Sequence, residues 1–173
     1  LPLPKINLLY VMEGGRVGGA EQNLFTVVKS LDKTVYTIQV CLLCSSDISE
    51  EILKSLDISF FVLHMKGKWD LFSIFKLVRF MRRKKIQIVH TCLYASNTFG
   101  RIAAILARVP IIIAWESGEI LLGSTPLKHC TVDRILAQFT DYIVACSESA
   151  KEGILKKEGI PARKIKVIYN RSE

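Results

Sequence analysis

Short apolar runs alternate with segments of helical periodicity along the whole chain. The predicted strands are 5–12, 36–43, 58–63, 86–90, 111–115, 141–145 and 165–168. The first predicted helix follows the first strand, and the later ones cover 49–56, 70–83, 96–108, 126–139 and 147–157. Strands this apolar are typical of a parallel sheet that is buried on both faces. Seven strands with helical crossovers predict an α/β fold, with a doubly wound, mainly parallel, seven-stranded Rossmann-like sheet and helices on both faces.

The composition indicates one globular domain over residues 1–173. Hydrophobic residues make up 50% of the chain and charged residues 23%, and no apolar run approaches the ~20 residues of a membrane span. The chain starts at Leu1 without a charged leader, so we expect no secretory signal and a cytoplasmic location. Five cysteines spread through strands and helices indicate reduced thiols. The three histidines lie far apart in sequence, so no metal site is expected.

A glycine-rich stretch, 13–21, connects the first strand to the first helix. It therefore lies at the carboxyl end of a strand, where open α/β sheets bind ligands. Gly18 and Gly19 directly precede the helix, and we expect them to adopt positive φ. The N–H groups of the first helical turn would then face an anionic or hydroxylated ligand. The alternative is a tight turn that needs glycine only for its geometry.

The glycine spacing argues against two common nucleotide sites. A dinucleotide fingerprint needs glycines at i, i+2 and i+5, and no glycine of this stretch begins such a series. Gly14 and Gly19 have the separation of the two Walker A glycines, but Ala20 and Glu21 follow them in place of Lys and Ser/Thr. The chain is therefore expected to bind no NAD and to hydrolyse no nucleotide, and no cofactor is predicted.

Three segments, in this order, carry a resemblance to a known family. They are GGRVGGAEQNL at 14–24, IVHTCLYASNTFGRIAAILARVPIII at 88–113 and DYIVACSESAKEGILKKEGIPARKIKVIYN at 141–170. Together they resemble the N-terminal half of the retaining, nucleotide-sugar-dependent GT-B glycosyltransferases of the group 1, family 4 type. The resemblance implies a hexosyltransferase in which this half mainly receives the acceptor, while a C-terminal domain holds most of the donor. Since Asn170 matches the start of the interdomain linker, it also implies that the donor-binding domain is absent here and that the isolated domain is inactive.

The resemblance also implies site residues at the cleft between the two domains. The substrate-binding residues it implies are Gly15, Arg16, Gly18, Gly19, Asn97, Glu116 and Ser117. His90 is expected to end the fourth strand at the cleft edge and to donate a hydrogen bond to the sugar, and a core histidine is the alternative. For Asn97 the alternative is a capping side chain at the start of a helix.

The predicted helix 70–83 combines apolar and basic residues. Leu71, Ile74, Phe75, Val78 and Met81 form one predicted buried arc, while Phe72 and Phe80 fall among basic residues. Two aromatic residues on a basic face suggest contact with an anionic membrane surface, which would make the protein peripheral to a membrane. The alternative is that both rings pack against a neighbouring segment. No base-stacking motif supports nucleic acid as the partner.

Three classes of function remain open from the sequence. The first is the acceptor-binding half of an enzyme that transfers a sugar from a nucleotide-sugar to a glycan or lipid-linked acceptor. The second is a nucleotide-sugar-binding α/β module of another class, such as half of an epimerase. The third is a non-catalytic interaction domain built on the same fold.

Overall fold

The computed structural model describes residues 4–14, 18–67, 70–116 and 127–169. The strands are β1 (Ile6–Met12), β2 (Tyr36–Leu42), β3 (Ser59–Val62), β4 (Ile88–Cys92), β5 (Ile111–Glu116), β6 (Tyr142–Ala145) and β7 (Ile165–Val167). The helices are α1 (Gly19–Ser30), α2 (Asp47–Ser55), α3 (Leu71–Arg83), α4 (Tyr94–Ala107), α5 (Leu127–Gln138) and α6 (Glu148–Glu158), and a 3-10 turn, Ala162–Lys164, precedes β7.

All seven strands form one parallel sheet in the order β3-β2-β1-β4-β5-β6-β7. The chain winds outward from β1 to β3, then returns past β1 to β4 and winds outward in the other direction. The predicted doubly wound α/β fold is confirmed. The winding direction reverses between β1 and β4, and the carboxyl ends of strands at such a point are where α/β sheets bind ligands.

Helices cover both faces of the sheet. On one face α3 and α4 pack on alternate residues of the central strands, such as Leu9, Val11 and Val89. On the other face α1 and α2 pack on the intervening residues, such as Tyr10 and Met12. A third apolar cluster joins α5 and α6 to β5, β6 and β7. Both faces of β1 are therefore buried, which accounts for its almost unbroken apolar sequence.

A buried ion pair connects two of these helices. Arg101 on α4 is 1% exposed, and its Nη2 donates to the Oδ1 of Asp133 on α5, which is also buried. The Nε of Arg101 donates to the backbone oxygen of Asn97, 2.5 Å away. Thus the guanidinium is compensated by a carboxylate and by a helix carbonyl inside the protein.

The structure corrects the predicted inner face of α3. Leu77 is buried near the centre of that face, together with Ile74, Val78 and Met81. Leu71 and Phe75, which were predicted to be buried, are 62% and 66% exposed, because the arc that packs on α4 and the sheet lies further round the helix. Phe80, predicted on the basic face, packs against Phe61 with ring centroids 4.1 Å apart.

Strand β4 also differs from its prediction, beginning and ending two residues later. Ile86 donates its N–H to the oxygen of Met81, so it closes the end of α3 instead of joining the strand. His90 is consequently in the middle of β4, and the strand reaches Cys92 before α4 begins. Within the described ranges, no helix is long and apolar enough to cross a membrane.

Candidate functional site

Hydrogen bonds connect three segments where the central strands end. Glu13 follows β1, and its Oε1 accepts from the N–H of Ala95 in the first turn of α4, 2.5 Å away. Glu116 ends β5, and its Oε1 accepts from the Asn97 side-chain amide at 2.8 Å. These contacts bring two carboxylates and one amide to the carboxyl edge of β1, β4 and β5. That edge is where the direction of winding reverses, so we take it as the candidate site.

Asn97 is the most constrained side chain of this group. It is 1% exposed, and its Oδ1 accepts from the Thr91 hydroxyl at 2.6 Å. Its amide nitrogen also donates to the oxygen of Trp115 at 2.9 Å. Leu93, not Asn97, precedes the first turn of α4, so the capping alternative is wrong. Asn97 instead holds Glu116 in a fixed position, and its predicted contact with substrate stays a prediction.

The N-terminus of α1 lies beside this group, but its glycines differ in conformation from the expectation. Gly18 has φ −106° and its N–H donates to Glu21 Oε2 at 2.9 Å. Among the described residues of this stretch, Gly14 has a positive φ, at 71°, and neither Gly18 nor Gly19 has one. At Gly14 a Cβ would also overlap the backbone oxygen of Cys44. Gly14 is therefore the glycine that the turn itself requires.

Gly19 has no close neighbour in front of the helix among the described residues. A Cβ built there meets no described atom within 4 Å, and one built at Gly18 meets only the Glu21 carboxylate, at 3.3 Å. The described part of the protein therefore leaves room for a side chain at both positions. Three other predicted site residues, Gly15, Arg16 and Ser117, lie outside the described residues.

His90 lies below the edge of the sheet, which corrects its predicted place at the end of the strand. Its ring packs against Tyr10, with centroids 4.9 Å apart, and lies 6.3 Å from the ring of Trp115. The side chain is half-buried, while its Nε2 atom is buried and has no hydrogen-bond partner among the described residues. Burial lowers the pKa of His90 to about 4, so the imidazole is neutral at pH 7. Its predicted catalytic role stays a prediction.

Negative charge converges on Cys92, the last residue of β4. Burial, and to a smaller extent the charges of Glu21, Glu116 and Glu13, raise the pKa of its thiol to about 12. The thiol is therefore protonated and unreactive at neutral pH. Three carboxylates near one strand end disfavour an anionic ligand there and suit the hydroxyl groups of a neutral one. Among the described residues, no group of three His, Cys, Asp or Glu side chains could hold a metal ion.

The sequence did not single out three members of this site. Glu13, Glu21 and Thr91 each bond to a neighbouring element or helix end, yet none was predicted as a site residue. Glu13 and Glu21 flank the glycine run, and their position at both ends of the predicted binding loop was an available signal. Thr91 offered no signal, because its role depends on a contact across the sheet edge.

A cavity of about 210 Å³ opens beside this group, on the α4 side of the sheet. Its walls are Glu13, Gly14, Leu43, Cys44, Met65, Gly67, Ala95 and Phe99. One carboxylate among mainly apolar walls can orient a hydroxylated ring whose faces are apolar. The cavity therefore fits part of a sugar better than a phosphate group.

Solved structures with the same fold include proteins that act on nucleotide-sugars. Anabaena Alr3699/HepE in complex with UDP is 20% identical over 95% of this chain, with a TM-score of 0.81. The lipopolysaccharide outer core galactosyltransferase WaaB is 18% identical over 96%, with a TM-score of 0.72. The UDP-GlcNAc 2-epimerase from Neisseria meningitidis, bound to UDP-GlcNAc, is 18% identical over 94%, with a TM-score of 0.68. The chain spans 44%, 46% and 45% of these three proteins, slightly under half.

Sequence comparison assigns the family. No curated protein sequence matches the chain. The profile of Glycosyltransferase Family 4 matches residues 17–170, which include every helix and all strands except β1. The match therefore covers most of the fold and most of the candidate site, although Glu13 lies just outside it. The chain belongs to Glycosyltransferase Family 4.

Proposed function

We propose that this domain is the acceptor-binding half of a glycosyltransferase of the hexosyltransferase type. The enzyme would transfer a sugar from a nucleotide-sugar to a glycan or lipid-linked acceptor. The observation that carries the proposal is the group formed by Glu13, Asn97 and Glu116 at the reversal point of the sheet. Their fixed carboxylates can accept hydrogen bonds from sugar hydroxyls, and family membership supplies the reaction class.

The charge of the site supports the acceptor role over the donor role. A nucleotide-sugar carries a diphosphate, and the carboxylates around Cys92 would repel it unless cations or N–H groups compensate. The solved relatives are about twice as long as this chain, so their remaining length can supply such groups. We therefore assign the nucleotide mainly to a second domain. Under this proposal the 173-residue chain alone has no transferase turnover, because groups that stabilise charge at the leaving phosphate are missing.

His90 and Gly19 have separate roles in this proposal. The Nε2 atom of His90 has no hydrogen-bond partner among the described residues. It would donate a hydrogen bond to a sugar hydroxyl, or accept one from it, if the sugar reaches this position, two residues before the end of β4. Gly19 would leave room for substrate in front of α1. The enzyme would act in the cytoplasm, and a lipid-linked acceptor would bring it to a membrane surface.

A nuclear magnetic resonance titration tests the assignment of the acceptor. The ¹⁵N-labelled chain is titrated separately with neutral disaccharides, with UDP and with UDP-glucose, and the shifts of backbone amides are followed. We expect disaccharides to shift the amides of Gly19, Ala95 and Asn97 at millimolar concentration, with weaker effects from UDP. Tight binding of UDP at this edge, or disaccharide shifts confined to other surfaces, would contradict the acceptor role. Glycosyl transfer by the isolated chain would contradict its inactivity.

The epimerase alternative has one observation in its favour, the fold shared with the Neisseria meningitidis epimerase. An epimerase half would bind the nucleotide-sugar itself and would need no second sugar. The same titration therefore separates the two, since an epimerase half should respond to UDP-sugars and not to disaccharides. A non-catalytic interaction domain should respond to neither.

A further inference from the structure

Three large apolar side chains on α3 project into solvent. Leu71, Phe72 and Phe75 are 62%, 69% and 66% exposed, although the opposite side of the same helix is fully buried. They are neighbours on the surface, since they occupy the first two turns of the helix. Nothing in the described parts of the protein covers them. A contiguous patch of this kind marks a binding surface more often than a single exposed apolar residue does.

Positive charge is concentrated around the same helix. Residues 66–85 contain eight lysines or arginines and one aspartate, which is almost the entire net charge of +8. The aspartate, Asp70, accepts from the N–H groups of Lys66 and Ser73 and from the Ser73 hydroxyl, so it serves to cap α3. Within the described ranges, Arg79 and Arg83 form no ion pair. Their charges are therefore available to an external anion.

A groove beside α3 combines these two properties. It has a volume of about 750 Å³ and lies between α3 and β3, which is the edge strand of the sheet. Phe61, Val62 and Phe80 contribute apolar surface, while Lys76, Arg79 and Arg83 contribute cations. On a helix with about 100° between successive residues, Phe72, Phe75, Arg79 and Arg83 lie within an arc of about 80°. One flat surface can therefore contact both the aromatic residues near the start of α3 and the arginines nearer its end.

We propose that this surface docks on a bilayer that contains anionic phospholipid. Phe72 and Phe75 insert between the headgroups, and a lipid phosphate enters the groove beside Arg79 and Arg83. Arginine binds phosphate with paired hydrogen bonds, and amphipathic helices with aromatic and basic residues lie in the membrane interface. The role of this contact, the presentation of a lipid-linked acceptor, rests on the proposed function. The binding itself does not, because it can be measured without any substrate.

The pattern favours a bilayer over a nucleic acid. Both carry phosphates, but only the bilayer offers an apolar layer for Leu71 and Phe75, which lie nearer the start of α3 than Arg83 does. Cation–π contact already occupies one face of Phe72, because the Nζ of Lys76 lies 4.6 Å from its ring centroid. Stacking with bases would have to compete with that contact, whereas insertion into headgroups would not.

Vesicle co-sedimentation of the 173-residue chain tests the proposal. We expect binding to vesicles of phosphatidylglycerol and phosphatidylcholine and none to pure phosphatidylcholine. Arg79→Gln/Arg83→Gln should lower the partition coefficient about twenty-five-fold, because each basic residue near an acidic membrane contributes about fivefold. Phe72→Ser/Phe75→Ser should lower it by at least about tenfold through lost apolar burial. Circular dichroism checks that each variant remains folded.

Two matched variants control for charge and for exposed apolar area. Arg163→Gln/Lys166→Gln removes the same charge at the opposite edge of the sheet, and Ile135→Ser/Phe139→Ser removes exposed apolar residues from α5 and from the position directly after it. Both should retain the binding of the parent. If they lose as much binding as the α3 variants, the surface is not specific and the proposal is wrong. Absence of binding by the parent would also overturn it.

Two competitors distinguish the other ligands. Glycerol phosphate at millimolar concentration should displace the protein only weakly, because it lacks the bilayer. Full displacement by glycerol phosphate would indicate a site for free phosphate and overturn the docking surface. Stronger binding to single-stranded RNA than to acidic vesicles, with the same dependence on Arg79 and Arg83, would indicate nucleic acid and would equally overturn it.

Discussion

Mild acid should destabilise this protein through His90. The buried imidazole has a pKa of about 4 in the folded protein, and its ordinary value is 6.5. Between these two pH values the unfolded chain binds a proton at this residue that the folded chain does not. The free energy of unfolding therefore falls as the pH falls through this window, and it levels off below about pH 4.

The size of the effect follows from the two pKa values. At about pH 5 the histidine of the unfolded chain is almost fully protonated, while the buried ring is still almost neutral. The difference is about 2 kcal/mol relative to about pH 7.5, and it rises to about 3 kcal/mol below about pH 4. Asp70 does not contribute at pH 5: hydrogen bonds, first from the Lys66 N–H and then from Ser73, hold its pKa at about 2. Its stabilisation is present above its ordinary pKa and is lost only as the pH falls towards 2.

Urea unfolding at about pH 7.5 and about pH 5 measures this effect. His90→Phe keeps an aromatic ring between Tyr10 and Trp115 but cannot bind a proton. We expect the parent to lose about 2 kcal/mol more stability than His90→Phe between the two pH values. His64→Gln, which removes an exposed histidine, should lose as much as the parent. Equal pH dependence of the parent and His90→Phe would refute the assignment of the effect to a buried, neutral His90.

Three substitutions test packing and the open space at the site. Gly100→Val should destabilise the domain by at least about 2 kcal/mol in urea unfolding, because even a Cβ there lies 2.6 Å from the Thr91 methyl group. Asp133→Ala should cost about 3 kcal/mol in the same assay, since it leaves the buried charge of Arg101 unpaired, and a variant with both residues made apolar should recover most of this. Gly19→Val in the full-length enzyme should abolish transferase activity while the protein stays folded, and near-normal activity would remove Gly19 from the site.

The elements with strong local signals were predicted from the sequence. Ser147 caps α6 by accepting from the N–H of Ala150, and Asp70 caps α3 in the same way. These caps depend on residues three apart, so the sequence contains all the information they need. The doubly wound parallel sheet followed from the alternation of strands and helices, because parallel crossovers leave few arrangements.

Features that depend on contacts between distant residues were predicted less well. Strand β4 was misplaced by two residues because Ile86 closes the end of α3, and no local pattern distinguishes that role from a strand residue. Asn97 was singled out, but its bond to Glu116 joins residues nineteen apart on different elements. The choice of Gly14 for positive φ depends on the neighbouring Cys44 carbonyl, which lies in the loop after β2.

The exposure of Phe75 shows a similar limit of helical periodicity. A helical wheel gives the angular position of each apolar residue of α3, but residues at the edge of the apolar arc can face either the core or solvent. Contact with α4 and the sheet decides in favour of Leu77 and against Phe75. The sequence could therefore predict an amphipathic helix here. Which aromatic residues it exposes could be seen only once its packing against α4 and the sheet was known.

The Arg101–Asp133 ion pair has a consequence for how the domain unfolds. It lies between the apolar cluster under α3 and α4 and the cluster under α5 and α6, which would otherwise be separate cores on one face of the sheet. Opening either cluster alone would expose its own apolar surface. It would also leave one charge of the ion pair buried and unpaired in the remaining core. The two halves are thus coupled into one cooperative unit, and the slowest-exchanging amide hydrogens of α4 and α6 should report the same free energy of opening.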